Sequence, residues 1–314
     1  MTRFTGHIGD PIDGRRADAA ADMAASAAPA APAAADDDQE TIFASALSWF
    51  GHFDVQHTVD PIDGVYTHDR TFNPAPTATD WAGDAAETAA VEPPVGALRL
   101  TVAQLPDRSH VRLFAHFVWN SGLVLAALID HGKIPVAGRT VVELGAGIAA
   151  PSIVAALRGA HRVVVTDYPD PAILANIGAN ADGNLPDPAA RAKVEVRGHL
   201  WGSDDLAAEP ARFDIVLLAD VLWMSEQHAP LLQSCRRLVK PAAAGGRIFL
   251  SFGKHTGGEI TDAFISLATS PGMGFLARCV NVYRYPTEWG DAKLDDYNET
   301  RRTVFTYELW HPNP

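Results

Sequence analysis

Val141-Val142-Glu143-Leu144-Gly145-Ala146-Gly147-Ile148-Ala149-Ala150, with Asp167 downstream, decides the fold of this chain. The stretch reads as a strand, a tight glycine turn and the start of a helix. A second strand then ends in a carboxylate. Such a βαβ unit holds a nucleotide-like cofactor at the carboxyl ends of parallel strands. The spacing Gly145-x-Gly147-x-x-Ala150, with Asp167 twenty positions past Gly147, also satisfies the dinucleotide fingerprint. Glu143 separates the two cofactor classes. In a dinucleotide site the turn and the helix N-terminus face a pyrophosphate, and a carboxylate two residues before the first glycine would repel it. S-adenosylmethionine carries a sulfonium and an ammonium and needs no phosphate cradle, so Glu143 favours the methyl donor over NAD.

Working outward from this unit, the pattern is globular from about Gly96. Ala97 to Val102 reads as a strand, and Val111 to Val118 as its hairpin partner, with Asp107-Arg108-Ser109 in the turn. Trp119 to His131 reads as a helix stopped by Gly132. Arg139 to Leu144 is the first parallel strand, and Pro151 fits the first turn of the helix after it. Arg162 to Thr166 forms the second strand with Asp167 at its tip, and Pro171 opens a helix reaching Asn180. Val194 to Arg197, Phe213 to Leu218 and Arg247 to Phe252 are further strands, the second of them wholly apolar as a buried parallel strand should be. Helices are expected over Glu226 to Leu238 and Ile260 to Ala268. Phe275 to Tyr285 and Arg302 to Trp310 would close the sheet as a hairpin, making the last strand antiparallel. The alternation implies a three-layer α/β sandwich.

The N-terminal part differs in kind. Residues 17–38 are mostly Ala, Pro and Asp, and 71–95 are rich in Pro, Ala, Thr and Asp. Without large side chains to bury, such segments cannot offset their chain entropy, so 1–95 reads as a largely disordered extension and 96–314 as the folded domain. Ile42 to Phe50 is an apolar island within the extension, suited to a short helix docked on the body. Residues 1–99 hold 16 Asp/Glu against 5 Lys/Arg, whereas 100–314 hold 22 against 20. The acidity of the −13 chain therefore belongs to the extension, and no basic patch argues for nucleic acid. Asp-Pro-Ile-Asp-Gly at 10–14 and 60–64 is too short for a structural repeat.

Cys235 and Cys279 lie far apart in apolar contexts, which fits packing residues in a reduced, cytoplasmic protein. The 12 histidines show no HxxxH spacing and no CxxC occurs, so no metal site is expected. No apolar run approaches about 18 residues and no signal-peptide core opens the chain, so neither membrane span nor export is expected.

Four further residues stand where chemistry is done. Asp167 suits the two ribose hydroxyls, although an Asp there could instead cap the helix over Pro169 to Asn180. Trp201, in His199-Leu200-Trp201-Gly202 after the third strand, could cover an adenine ring or fill the core. Asp220 ends the fourth strand in Leu218-Ala219-Asp220-Val221-Leu222-Trp223, beside the cofactor strand. It could orient an amine, with Trp223 as a pocket wall, or cap a helix. Trp119, taken alone, reads as core.

The set Val118-Trp119-Asn120-x-Gly122, Glu143-Leu144-Gly145-Ala146-Gly147, Thr166-Asp167-Tyr168, Leu200-Trp201-Gly202 and Ala219-Asp220-x-x-Trp223 resembles the family-16 protein N-methyltransferases. Asp167-Tyr168-Pro169-Asp170-Pro171, His116-x-x-Trp119-Asn120 and the segment from Gly290-Asp291 to Val304 look most like its fungal branch. The resemblance spans roughly residues 97–310. It implies the seven-stranded, mostly parallel, Rossmann-like sheet of the class I enzymes and S-adenosylmethionine as methyl donor. Trp119, Glu143, Gly145, Ala146, Gly147, Asp167, Trp201 and Ala219 would line the cofactor. Asp220 and Trp223 fall on the family's Asp-x-x-Tyr/Phe substrate motif, with Trp replacing the usual Tyr or Phe. For the branch, it implies methylation of a protein substrate, translation elongation factor 1-alpha, at its N-terminal amine and an adjacent lysine. Small-molecule methylation of nicotinamide type, and an inactive interaction protein that keeps the fold, are the alternatives. An NAD-dependent dehydrogenase would have to explain Glu143 and lacks an acid–base pair.

Overall fold

The computed structural model describes residues 65–68, 98–101, 115, 118–206, 212–254, 257–284 and 303–312, with the backbone alone at 65–68 and 284. The low-complexity segments 17–38 and 71–95, the island at 42–50 and the loop 285–302 lie outside the described residues.

Nine strands are described. Seven form one sheet: β3 (Thr140–Leu144), β4 (Arg162–Asp167), β5 (Val194–Gly198), β6 (Ile215–Ala219), β7 (Arg247–Gly253), β8 (Leu276–Arg284) and β9 (Thr303–Trp310), ordered β5-β4-β3-β6-β7-β9-β8. The first five run parallel, and β9 inserts antiparallel between β7 and β8, as the closing-hairpin reading requires. The central strands are apolar on both faces because both faces are covered. On one face, α1 (Asn120–Asp130), α2 (Ala150–Leu157) and α3 (Pro171–Asn184) pack with Val141, Val163, Val165, Ile215 and Leu217. On the other, α5 (His228–Leu238) and α6 (Gly258–Ala268) pack with Val142, Leu144, Val164, Val216 and Leu218. A single turn, α4 (Pro188–Arg191), precedes β5. The result is the three-layer sandwich expected.

Several boundaries moved for physical reasons. The fourth strand starts at Ile215 rather than Phe213, because Phe213 leaves the sheet to bridge Val239 at the end of α5. The helix expected from Glu226 opens with a 3-10 turn over Ser225–Gln227 and becomes α-helical at His228. α3 continues to Asn184, one turn beyond the asparagine where it was expected to stop. The remaining two strands are β1 (Val65–His68) and β2 (Leu98–Thr101), paired antiparallel as a separate two-stranded sheet. β2 was expected to pair with 111–118. Of that segment only Ala115 and Val118 are described, and neither is in a strand.

β2 attaches to the body through side-chain amides. Asn176, Asn180 and Asn184 stand one turn apart on α3 and meet the edge of β2 that β1 leaves open. Asn184 Oδ1 accepts the Arg99 N–H at 2.8 Å while its Nδ2 donates to the Arg99 carbonyl at 2.7 Å. Asn180 does the same at Thr101, at 2.7 and 2.9 Å. The helix thus completes the hydrogen bonding of a strand edge, which backbone groups out of water require.

Candidate functional site

The strand order reverses at β3, with β4 and β5 to one side and β6 and β7 to the other, so a crevice opens between the carboxyl ends of β3 and β6. Glu143, Asp167 and Ala219 lie at the carboxyl ends of β3, β4 and β6, with Asp220 directly after β6.

Glu143 is the penultimate residue of β3, paired with Val165 and Leu217, and is fully buried. Its Oε2 accepts both the hydroxyl and the backbone N–H of Ser152 in the first turn of α2. Its Oε1 is buried and has no partner. Burial pushes the Glu143 carboxyl up to about 8, against the Ser152 hydrogen bonds that lower it.

The turn after β3 has left-handed backbone at Gly145 (φ +74°), Gly147 (φ +53°) and Ala149 (φ +62°). Gly145 has no alternative: a β-carbon there would stand 2.8 Å from Val221 Cγ1 and 3.1 Å from the Trp201 ring. At Gly147 a β-carbon would meet nothing within 4 Å, so this residue borders open space. Gly145 and Ala146 both donate to the Thr166 carbonyl, at 2.9 and 3.0 Å, which locks the turn onto the end of β4.

Asp167 ends β4 and is buried. Its Oδ2 accepts the Gly147 N–H at 2.7 Å and its Oδ1 the Tyr168 N–H at 2.7 Å. Burial raises its carboxyl above the usual range, opposed by these two bonds. It does not cap α3. Asp170 does that, accepting from Ala172 and Ile173 with Pro171 in the first turn.

Trp201 is half-buried in the loop after β5, where it packs against the core of the α5 and α6 face and its ring lies against Gly145 of the turn. Ala219 and Asp220 close β6. Asp220 has left-handed backbone (φ +54°), its N–H bonds the Ser251 carbonyl at 2.9 Å, and its Oδ1 accepts from Gly253 N–H at 3.3 Å. It caps no helix, the next helical turn starting at Ser225. A non-glycine residue held in this region at a strand tip is strained, and such strain collects at functional sites. Trp223 follows, half-buried, and Trp119 is the N-cap residue of α1, also half-buried. Ser152 is the residue the sequence reading missed: a serine nine positions after a glutamate carries no motif, and only the turn brings the two together.

These features suit S-adenosylmethionine. A buried carboxyl with an unpartnered oxygen, which a bound cation would draw into its ionised form, lies near open space beside Gly147 and an aromatic ring against the turn. No phosphate-binding cation is needed. Among the described residues no group of His, Cys, Asp or Glu could hold a metal ion, and no helix is long and apolar enough to cross a membrane.

Comparison with known proteins agrees. The family model described as lysine methyltransferase matches residues 107–269. The protein N-terminal and lysine N-methyltransferase EFM7 of Eremothecium gossypii is 35% identical over 63% of this chain and 77% of its own length. That of Candida glabrata is 35% identical over 70% and 85%, and that of Schizosaccharomyces pombe 37% identical over 69% and 88%.

Proposed function

Since the chain belongs to the lysine methyltransferase family, we propose that it methylates the N-terminal amine and a nearby lysine of a protein, translation elongation factor 1-alpha, in the cytoplasm. That it is a methyltransferase using S-adenosylmethionine follows from the family. The relatives named as protein N-terminal and lysine methyltransferases support a protein acceptor. The factor itself rests on the resemblance to the fungal branch. We read residues 96–314 as the catalytic domain and 1–95 as an extension that contributes β1 to the fold.

The single observation that carries the reading is the pair of carboxyl residues at adjacent strand ends, Glu143 buried in β3 with one oxygen unpartnered and Asp220 with left-handed backbone at the tip of β6. When bound, S-adenosylmethionine supplies a methyl group on a sulfonium sulfur. Glu143 attracts the cationic end of the donor, Asp167 accepts from the ribose hydroxyls and Trp201 covers the adenine. Gly147 leaves room beside the turn that Gly145 and Ala146 form, Ala219 adds little bulk at the strand end, and Trp119 walls the site from α1. Asp220 orients the acceptor amine and Trp223 forms the far wall. A lysine amine, ordinarily near ~10.4, must be neutral to react. A water-poor crevice that already holds a cation disfavours a second one, which lowers that value. The crevice residues would hold the neutral amine in line with the donor's methyl group, and the methylated ammonium would then shed its proton to solvent. Most of the acceleration comes from alignment.

The test is transfer of labelled methyl from S-adenosylmethionine by the purified full chain into an extract lacking endogenous methylation. A labelled band at the size of elongation factor 1-alpha, mapped to its N-terminus and a nearby lysine, is expected. Label found only in a small molecule such as nicotinamide overturns the protein acceptor.

A further inference from the structure

Trp201 sits in an irregular loop, yet its ring must hold its place against Gly145. We propose that His199, with Ser234 and Asp205, is a positioning residue that fixes Trp201 over the methyl-donor site. The proposal rests on the reading that Trp201 covers the adenine.

β5 ends at Gly198, and the next eight residues form no regular element. Their backbone is tied down on both sides of Trp201. The Leu200 N–H donates to Asp205 Oδ2 at 3.1 Å, and the Gly202 N–H to Ser234 Oγ at 2.8 Å. Arg237 Nη1 donates to the Gly202 carbonyl at 2.8 Å and the Ser203 carbonyl at 3.0 Å. His199 joins these anchors. Its Nδ1 bonds Asp205 Oδ1, and its Nε2 lies 2.9 Å from Ser234 Oγ. It is 3% exposed and Ser234 1% exposed.

The protons can be assigned. An ionised Asp205 can only accept, so Nδ1 carries a hydrogen. Ser234 Oγ already accepts from Gly202, so with a neutral imidazole its own proton goes to Nε2. One buried ring thereby connects the far end of the loop, the residue after Trp201 and the face of α5. The order serine–histidine–carboxylate matches a nucleophilic triad, but Ser234 lies inside the packed face of α5, where no substrate can reach it. Its hydroxyl is held as a structural acceptor, not activated for attack.

The network is polar, buried and connected, so removing the ring leaves the Ser234 hydroxyl short of a partner and frees one end of the loop. Its anchors lie in the loop after β5 and on α5, on either side of Trp201, so its loss reaches donor binding before chemistry.

The experiment uses the full chain and five variants: His199→Leu, His199→Gln, Ser234→Ala, Trp201→Ala and Trp201→Phe. Calorimetry gives Kd for S-adenosylhomocysteine, and steady-state kinetics separate KM for the donor from kcat. Tryptophan quenching on ligand binding is assigned to Trp201 by difference from Trp201→Phe. Base–aromatic stacking sets the scale at roughly tenfold. His199→Leu and Ser234→Ala are expected to raise Kd and KM by about that factor, with kcat at saturation kept and the Trp201 quenching reduced. His199→Gln, which can still reach Ser234, recovers part of the loss. If His199→Leu does not fold by circular dichroism, Ser234→Ala decides. Folded variants with Kd and quenching unchanged, while Trp201→Ala weakens binding, overturn the proposal. Loss of kcat and melting temperature with quenching intact also overturns it, as a general structural role. Trp201→Ala with unchanged Kd instead overturns the placement of Trp201 on the adenine.

Discussion

Gly145 and Trp201 meet across the mouth of the crevice, with space for a hydrogen on Gly145 and not for a methyl group, since a β-carbon there would stand 3.1 Å from the indole. Two loops, one after β3 and one after β5, thus fit together only through the absent side chain. Gly145→Ala also forces a left-handed backbone on alanine, at about 1–2 kcal/mol. We expect a melting temperature several degrees lower and donor affinity reduced more than tenfold, measured by calorimetry. An unchanged Kd would remove the turn from the donor site.

Glu143 ties stability to function in opposite directions. Its ordinary carboxyl value is 4.5 and its folded value about 8. Below pH ~4.5 the group is protonated in both states and costs nothing. As pH rises, the unfolded state ionises first, so stability falls until pH passes about 8, where the folded carboxyl ionises too. Glu143→Gln keeps an acceptor for Ser152 and carries no charge. Its melting temperature should match the parent near pH 5 and exceed it increasingly toward pH 8, while its affinity for the cationic donor falls. Melting curves across that range check the first expectation and titration the second. A constant difference at every pH would refute the buried titration.

Asn180 spends its full bonding capacity on one junction. Its Oδ1 accepts the Thr101 N–H and hydroxyl, and its Nδ2 donates to the Thr101 carbonyl and, at 3.1 Å, to the Ile148 carbonyl of the glycine turn. Asn180→Leu takes this partner from the Thr101 N–H and the Ile148 carbonyl, while Asn176 still bonds the Thr101 hydroxyl and carbonyl. We expect a loss of about 3 kcal/mol, read as a lower denaturation midpoint, together with weaker donor binding because Ile148 belongs to the turn. Denaturation unchanged from the parent would show that β2 is not held this way.

Asp220→Asn preserves shape and tolerance of the left-handed backbone. If Asp220 orients the amine, kcat falls about a hundredfold while donor affinity stays within roughly twofold. Methylation at the parent rate would exclude the role.

Much of the fold was legible because its signals are local. Leu217 and Leu218 sit in an unbroken apolar run that only a strand covered on both faces can use, and Gly145-x-Gly147 marks a turn that few other sequences tolerate. Where reading and structure part, a distant contact intervened. Asn180 reads as the helix end, but the amides of Asn180 and Asn184 bond to β2 in a helix that runs on to Asn184. Phe213 looks like strand, but it packs and bridges at the end of α5. The pairing of β2 with Val65–His68 lies across a stretch whose composition gives no sign of it.

The sequence by itself determined the βαβ unit, the sheet it seeds and the choice of a cationic methyl donor, because residue spacing sets backbone period and the charge of Glu143 selects among ligands without needing coordinates. Tertiary structure alone decided which carboxylate oxygen stays unpartnered, that Asp170 rather than Asp167 caps α3, and that His199 and Ser234 anchor Trp201. Those outcomes depend on which groups remain out of water once separate elements are packed, and burial is a property of the assembled chain.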